Sequence, residues 1–108
     1  MDLTLQSDID PADRPVVIAV GSIDLASRDS FLKFADGALR SSDAKEFVLD
    51  LGGITFLDSL GLGALVQLDR EGGYRGRTMV LRNPSERVLR LLETVGLRDL
   101  WRVESNAG

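Results

Sequence analysis

The stretch Phe47-Val-Leu-Asp-Leu51, Gly52-Gly-Ile-Thr-Phe-Leu57, Asp58-Ser-Leu-Gly-Leu-Gly-Ala-Leu65 decides the reading of this chain. An apolar run of β-favouring residues halts at two glycines and restarts. It then delivers Asp58-Ser59 to the mouth of an apolar-periodic segment. That order predicts strand, loop and helix N-terminus. Free backbone N–H groups and the positive end of the helix dipole converge at such a place, which suits a phosphate. Function is expected to reside there.

A helix turns about 100° per residue, so the positions after Ser59 sort by face. Ser59, Gly63, Gln67 and Arg70 share one side, while Leu62, Leu65 and Leu68 sweep the other. The leucines must face a sheet, which puts the Ser59 row in solvent. Gly61 falls on the core side, where a missing side chain lets helix and sheet approach closely. Gly63 falls beside Ser59, where it leaves flat backbone for docking. Leu60 borders the row and is expected to be at least partly exposed as a partner contact; the alternative folds it back over residues 52–57.

Outward from this segment, residues 3–7 alternate as an edge strand and residues 7–15, with two prolines, read as a loop. Val16-Val-Ile-Ala-Val20 reads as a strand buried on both faces. Phe31, Phe34, Ala35, Ala38 and Leu39 mark one face of a helix. The central helix is expected over residues 59–71, ended by Gly72-Gly73. Residues 77–82 form a further strand. Asn83-Pro84-Ser85 turns into a capped helix whose Val88, Leu91, Leu92 and Val95 recur at helical spacing, with Gly96 as its C-cap. Residues 97–103 close the core with the only Trp. The result is a single α/β domain over residues 1–104, a small mixed β-sheet with helices packed on it, and a tail over residues 105–108.

Composition closes most catalytic options. The 108 residues allow one core. Cysteine and histidine are both absent, which removes disulfides, thiolate nucleophiles, Ser-His-Asp chemistry and His-ligated metal. Net charge is −4 with the signs mixed, so nucleic acid is not an expected partner. No apolar run approaches the ~20 residues of a membrane span. A cytoplasmic, non-enzymatic domain without metal or cofactor is expected. Gly61-x-Gly63 begins like a dinucleotide fingerprint, but Val66 stands where the third glycine belongs.

Three features resemble the STAS domains of bacterial anti-sigma factor antagonists. They are Val16-Val-Ile-Ala-Val-Gly-Ser-Ile-Asp24, Val48-Leu-Asp-Leu51 followed by Ile54-Thr-Phe-Leu-Asp-Ser59, and Gly61-Leu-Gly-Ala-Leu65. The similarity runs from Val16 to Trp101. It implies that Ser59 is a phosphorylatable serine. An anti-sigma factor with GHKL-type serine kinase activity would bind the unphosphorylated chain, freeing a sigma factor, and leave once it has phosphorylated Ser59. A PP2C-like phosphatase would restore binding. The family usually has Ser or Thr after this serine, where Leu60 stands here, which bears on partner choice. Similar stand-alone STAS domains serve instead as non-catalytic interaction subunits of lipid-transport ABC systems or of stress-sensing complexes.

The helical face and the resemblance together give an expected partner-binding set of Asp24, Asp58, Ser59, Leu60, Gly61, Gly63 and Gln67. The residues themselves leave alternatives. The alternative for Ser59 is a plain helix N-cap, which is compatible with its accepting a phosphate. Asp58 either positions the serine and assists proton removal or is a helix-start carboxylate. Asp24 either joins the binding surface or caps the helix that follows it. Asp50, inside a strand, reads as structural.

Overall fold

The computed structural model describes residues 2–105. Eight elements follow one another: β1 (Leu3–Ile9), β2 (Pro15–Ile23), α1 (Arg28–Arg40), β3 (Glu46–Leu57), α2 (Ser59–Tyr74), β4 (Thr78–Arg82), α3 (Glu86–Thr94) and β5 (Arg102–Glu104). The sheet runs β1-β2-β3-β4-β5, with β1 antiparallel to β2 and every other neighbouring pair parallel. The mixed α/β architecture expected from the sequence is the observed one. Residues 106–108, most of the expected tail, lie outside the described residues. Among the described residues no helix is long and apolar enough to cross a membrane.

Side chains alternate across a strand, so the sheet has two distinct faces. Val17, Ala19, Phe47, Leu49, Leu51, Met79 and Leu81 point to the helices. They pack there with Phe31, Ala35 and Leu39 of α1, Leu62, Leu65 and Leu68 of α2, and Val88 and Leu92 of α3. Val16, Val48 and Val80 form a separate buried row on the opposite face, in register with Arg102. Flanking that row is an ion network. Arg14 reaches Asp10 (2.8 Å), Glu46 (3.1 Å) and Glu104 (2.9 Å), and Arg82 also bonds Asp10 (3.1 Å).

Several boundaries depart from the sequence reading, each for a physical reason. Residues 7–9 belong to β1 and not to a loop, because the turn that follows is tight. Asp13 takes a positive φ of 60°, and Asp10 Oδ1 accepts from the Ala12 and Arg14 N–H groups. β2 is not buried throughout: Val20 is exposed. β3 runs through Gly52-Gly53, because pairing of Gly53 and Ile54 with Val20 and Gly21 carries the strand onward. Likewise α2 continues through Gly72-Gly73 to Tyr74. Arg77 precedes β4 instead of belonging to it. Its buried guanidinium donates to the carbonyls of Leu39, Ser42 (2.7 Å) and Ala44 (2.8 Å), closing the end of α1. Residues 97–101 are turn, followed by β5.

Candidate functional site at the start of α2

Ile23 and Leu57 are register partners on adjacent parallel strands. The residues that follow them, Asp24 and Asp58, therefore leave the sheet side by side at its C-terminal edge, the usual place for sites in α/β sheets. Asp58 holds extended backbone (φ −99°, ψ −175°), and its Oδ1 accepts from the Gly61 N–H at 2.8 Å. Its carbonyl accepts the first helical bond, from the Leu62 N–H at 2.8 Å. Asp58 is thus the N-cap, and this corrects the alternative that gave Ser59 that position: Ser59 is the first residue of α2. Asp58→Ala is expected to cost about 1 kcal/mol of stability, whereas Ser59→Ala should stay within about 0.5 kcal/mol, both read by urea denaturation.

Relieved of capping, the Ser59 side chain is exposed, and its hydroxyl forms no hydrogen bond with any described residue. Leu60 is 42% exposed, so it borders the serine as an accessible apolar contact. Gly63 is exposed with open space where a Cβ would stand. Gln67 lies farther along the same face; its Oε1 accepts from Arg28 Nη2 (3.0 Å) and its Nε2 donates to Glu71 (3.3 Å). Gly61 is buried beneath this surface, as the helical angle predicts, where an added Cβ would collide with the Ile23 carbonyl.

Asp24 is held in a reciprocal pair with Ser27. The Ser27 N–H donates to Asp24 Oδ1 (3.1 Å), and the Asp24 N–H donates to Ser27 Oγ (3.1 Å). The buried Ser27 hydroxyl also donates to the Ser22 carbonyl (2.9 Å). Asp24 therefore caps the turn leading into α1 while standing at the same edge as Ser59. Asp50 is structural, its Oδ1 accepting from the Gly52 N–H.

Two residues of this edge were not in the expected partner-binding set. Leu25, in the turn after Asp24, and Phe56, near the end of β3, are both exposed. With Leu60 they give the edge three large apolar side chains. The signal was available in principle: Leu25 directly follows Asp24, and Phe56 stands two residues before Asp58. Chemically the edge offers an unengaged hydroxyl, two neighbouring carboxylates occupied in capping, and apolar contacts. Such an arrangement can accept a group from outside or dock a partner. Among the described residues no cluster of three His, Cys, Asp or Glu side chains could hold a metal ion.

Residues 5–102 match the family model described as Mlab, STAS domain. Solved structures of the same fold include the anti-sigma factor antagonist SpoIIAA of Bacillus. Its unphosphorylated form superposes with a TM-score of 0.76 at 19% identity, covering 96% of this chain and 90% of that one. An anti-sigma factor antagonist from Mycobacterium paratuberculosis gives 0.74 at 24% identity, with 95% and 86% covered. A sulfate transporter family protein from Wolinella succinogenes gives 0.66 at 21% identity, with 82% and 74% covered. At these identities the likeness is one of fold, while the family match extends over nearly the whole length. Matched by that model over nearly its whole length, the chain belongs to the STAS domain family.

Proposed function

We propose that this chain is an anti-sigma factor antagonist. It binds an anti-sigma factor bearing GHKL-type serine kinase activity while Ser59 is unmodified, and phosphorylation of Ser59 releases it. The observation that carries this reading is the Ser59 hydroxyl, exposed at the first position of α2 and unengaged because Asp58 does the capping. The chain contributes no catalytic residue; kinase and PP2C-like phosphatase are separate proteins. The docking surface is Asp24, Asp58, Ser59, Leu60, Gly63 and Gln67, with Gly61 setting the seat of the helix beneath.

Charge supplies the switch. A phosphate adds about −1.5 to −2 beside Asp58 and Asp24, and the helix dipole offsets at most ~2 kcal/mol of that repulsion. The fold therefore survives, while a partner that must desolvate the phosphate is rejected. Phosphoserine at position 59 is expected to weaken partner binding by roughly a hundredfold and to change stability by less than about 1 kcal/mol.

The exposed Leu60, where the family usually has Ser or Thr, favours one second reading: constitutive docking as a non-catalytic subunit of a lipid-transport ABC system or a stress-sensing complex. A pull-down from the native host, with mass spectrometry of partners and of the Ser59 peptide, separates the two. A GHKL-type kinase recovered with phosphorylated Ser59 supports the switch. A transporter ATPase or other STAS subunits, with Ser59 unmodified in every growth condition, supports the second reading.

A further inference from the structure

β1 is an outer strand of the sheet, paired with β2 alone among the described residues. Their register advances one residue at a time on both strands, from Leu3 opposite Gly21 to Ile9 opposite Pro15. Both ends of the ladder show which residues face β2. The Ser22 N–H donates to the Asp2 carbonyl (3.1 Å), and the Asp10 N–H donates to the Arg14 carbonyl (3.0 Å). Such bonds recur at every second residue of an antiparallel pair. The even-numbered residues therefore point their N–H and C=O groups at β2, and the odd-numbered ones point theirs away. The Ile9 N–H accordingly turns to Asp8 Oδ1 (2.8 Å). Those of Leu3, Leu5 and Ser7 face the same way and meet no acceptor among the described residues.

Outer strands are commonly blunted by Lys, Pro or a bulge, or by being very short. Leu3-Thr-Leu-Gln-Ser-Asp-Ile9 has none of these devices, and its single charge is Asp8. The opposite edge differs: β5 is three residues long and carries Arg102 and Glu104. On the helix side of β1, Leu3 and Leu5 pack against the core, while Ile9 is 55% exposed. Ile9 borders a hollow of about 260 Å³ that Ala38 and Ser41 of the α1 end also line. On the other side, Thr4, Gln6 and Asp8 are exposed.

We propose that β1 is a homodimer interface, pairing antiparallel with β1 of a second copy to join the two sheets into one. The strand's own sequence selects the register. A two-fold axis through Gln6 lets all seven residues pair, each with a residue of the same face. Leu3 then lies opposite Ile9 of the second copy, covering the exposed isoleucine. Leu5 lies opposite Ser7, and Thr4 opposite Asp8. Every free N–H finds a carbonyl: Leu3 on Ile9, Leu5 on Ser7, Ser7 on Leu5. The two Asp8 carboxylates stand four residues apart along the strand, about 14 Å, beyond the screening length of about 8 Å. An axis through Leu5 would instead set Asp2 against Asp8, and one through Ser7 would leave Leu3 and Thr4 unpaired. Antiparallel pairing turns the two Ser59 rows to opposite ends of the joined sheet, so one dimer can hold two partner molecules.

Sedimentation equilibrium of the full chain, from about 1 to 500 µM, tests the proposal together with cysteine cross-linking. Wild type and Ser59→Asp are expected to dimerise alike as concentration rises. Ser7→Pro removes an outward N–H and nothing from the β2 ladder, and Gln6→Lys sets two cations face to face across the axis. Each should weaken the dimer at least about tenfold, and Gln6→Lys leaves the backbone untouched should the proline disturb folding. The chain has no cysteine, so introduced thiols report cleanly. Gln6→Cys should form a disulfide-linked dimer on mild oxidation, because its Cα atoms face each other at about 4.5 Å. Thr4→Cys should not, since its Cα atoms stand about 14 Å apart and a disulfide spans at most about 7 Å. A monomer at every concentration would overturn the proposal. So would a dimer indifferent to Gln6→Lys, or Thr4→Cys cross-linking as readily as Gln6→Cys.

Discussion

Alanine at position 61 is expected to destabilise the fold by about 3 kcal/mol or more, whereas alanine at position 63, two residues along the same helix, is expected to stabilise it by about 0.5 to 1 kcal/mol. A Cβ on Gly61 would stand 2.0 Å from the Ile23 carbonyl oxygen and 2.8 Å from Leu57 Cδ1. The first of these is backbone at the end of β2 and cannot rotate away. Relief requires the first turn of α2 to lift off the sheet, which strips contacts from Leu62 and Leu65 in the core. Overpacking of this kind costs 1 to 3 kcal/mol in ordinary cores, roughly, and more where the obstacle is backbone. Against a total stability of about 5–15 kcal/mol, such a loss brings the domain towards unfolding. A Cβ on Gly63 meets nothing within 4 Å, so only the helix-propensity gain remains. Urea denaturation of the two variants reads the contrast directly. Equal midpoints would mean that α2 is not seated on β2 as described. If the Ser59 row docks a partner, Gly63→Ala should also weaken that binding while leaving the fold intact.

The same glycines show what the sequence could and could not disclose. Helical angle alone separated Gly61 from Gly63 and put Leu62, Leu65 and Leu68 in the core, because a period of 3.6 is a local property. Gly52-Gly53 and Gly72-Gly73 misled for the opposite reason: a glycine that breaks an element and one that admits a neighbour are the same letter. A Cβ on Gly53 would meet Val20 at 2.8 Å, and one on Gly72 would meet the Phe47 ring at 2.6 Å. Both are close approaches inside elements that tertiary pairing carries onward. At the site, the edge location of Asp24, Asp58 and Ser59 was legible, since strand ends and helix starts carry local signals. The division of labour at the cap was not. Asp58 and Ser59 are both good capping residues, and only the backbone at position 58 decides between them.

The ion network behind the sheet had no sequence signature at all, because its members come from β3, β4, β5 and the turn before β2. It nonetheless explains why β5, only three residues long, stays in place. Arg14 donates from both terminal nitrogens to the two carboxylate oxygens of Glu104, each at 2.9 Å. This paired geometry is the strong form of such contacts.

Arg14→Met is accordingly expected to lower stability at neutral pH by about 2 to 3 kcal/mol, because it leaves Asp10 and Glu104 short of their principal cation. Arg40→Ala, which breaks an exposed pair with Asp36, should cost no more than about 0.5 kcal/mol. The pH dependence distinguishes the two further. Burial by itself pushes the Asp10 carboxyl up, but hydrogen bonds from the Arg14 backbone and guanidinium and from Arg82 outweigh it and hold the group at about 2. For Glu104 the Arg14 hydrogen bonds dominate, with Arg102 assisting, and hold it also at about 2. In the unfolded chain both carboxyls return to ordinary values near about 4. A native carboxyl held below its unfolded value stabilises the fold fully above the unfolded pKa, and that contribution disappears as pH falls towards the native one. Wild type should therefore lose stability steeply between about pH 4.5 and 2, with the unfolded state taking up the protons. In Arg14→Met the native carboxyls titrate nearer their ordinary range, so the same acid limb should flatten. Urea midpoints measured across this interval check it. An acid limb of equal slope in wild type and Arg14→Met would show that other carboxylates carry the acid sensitivity and that β5 is anchored by its backbone ladder alone.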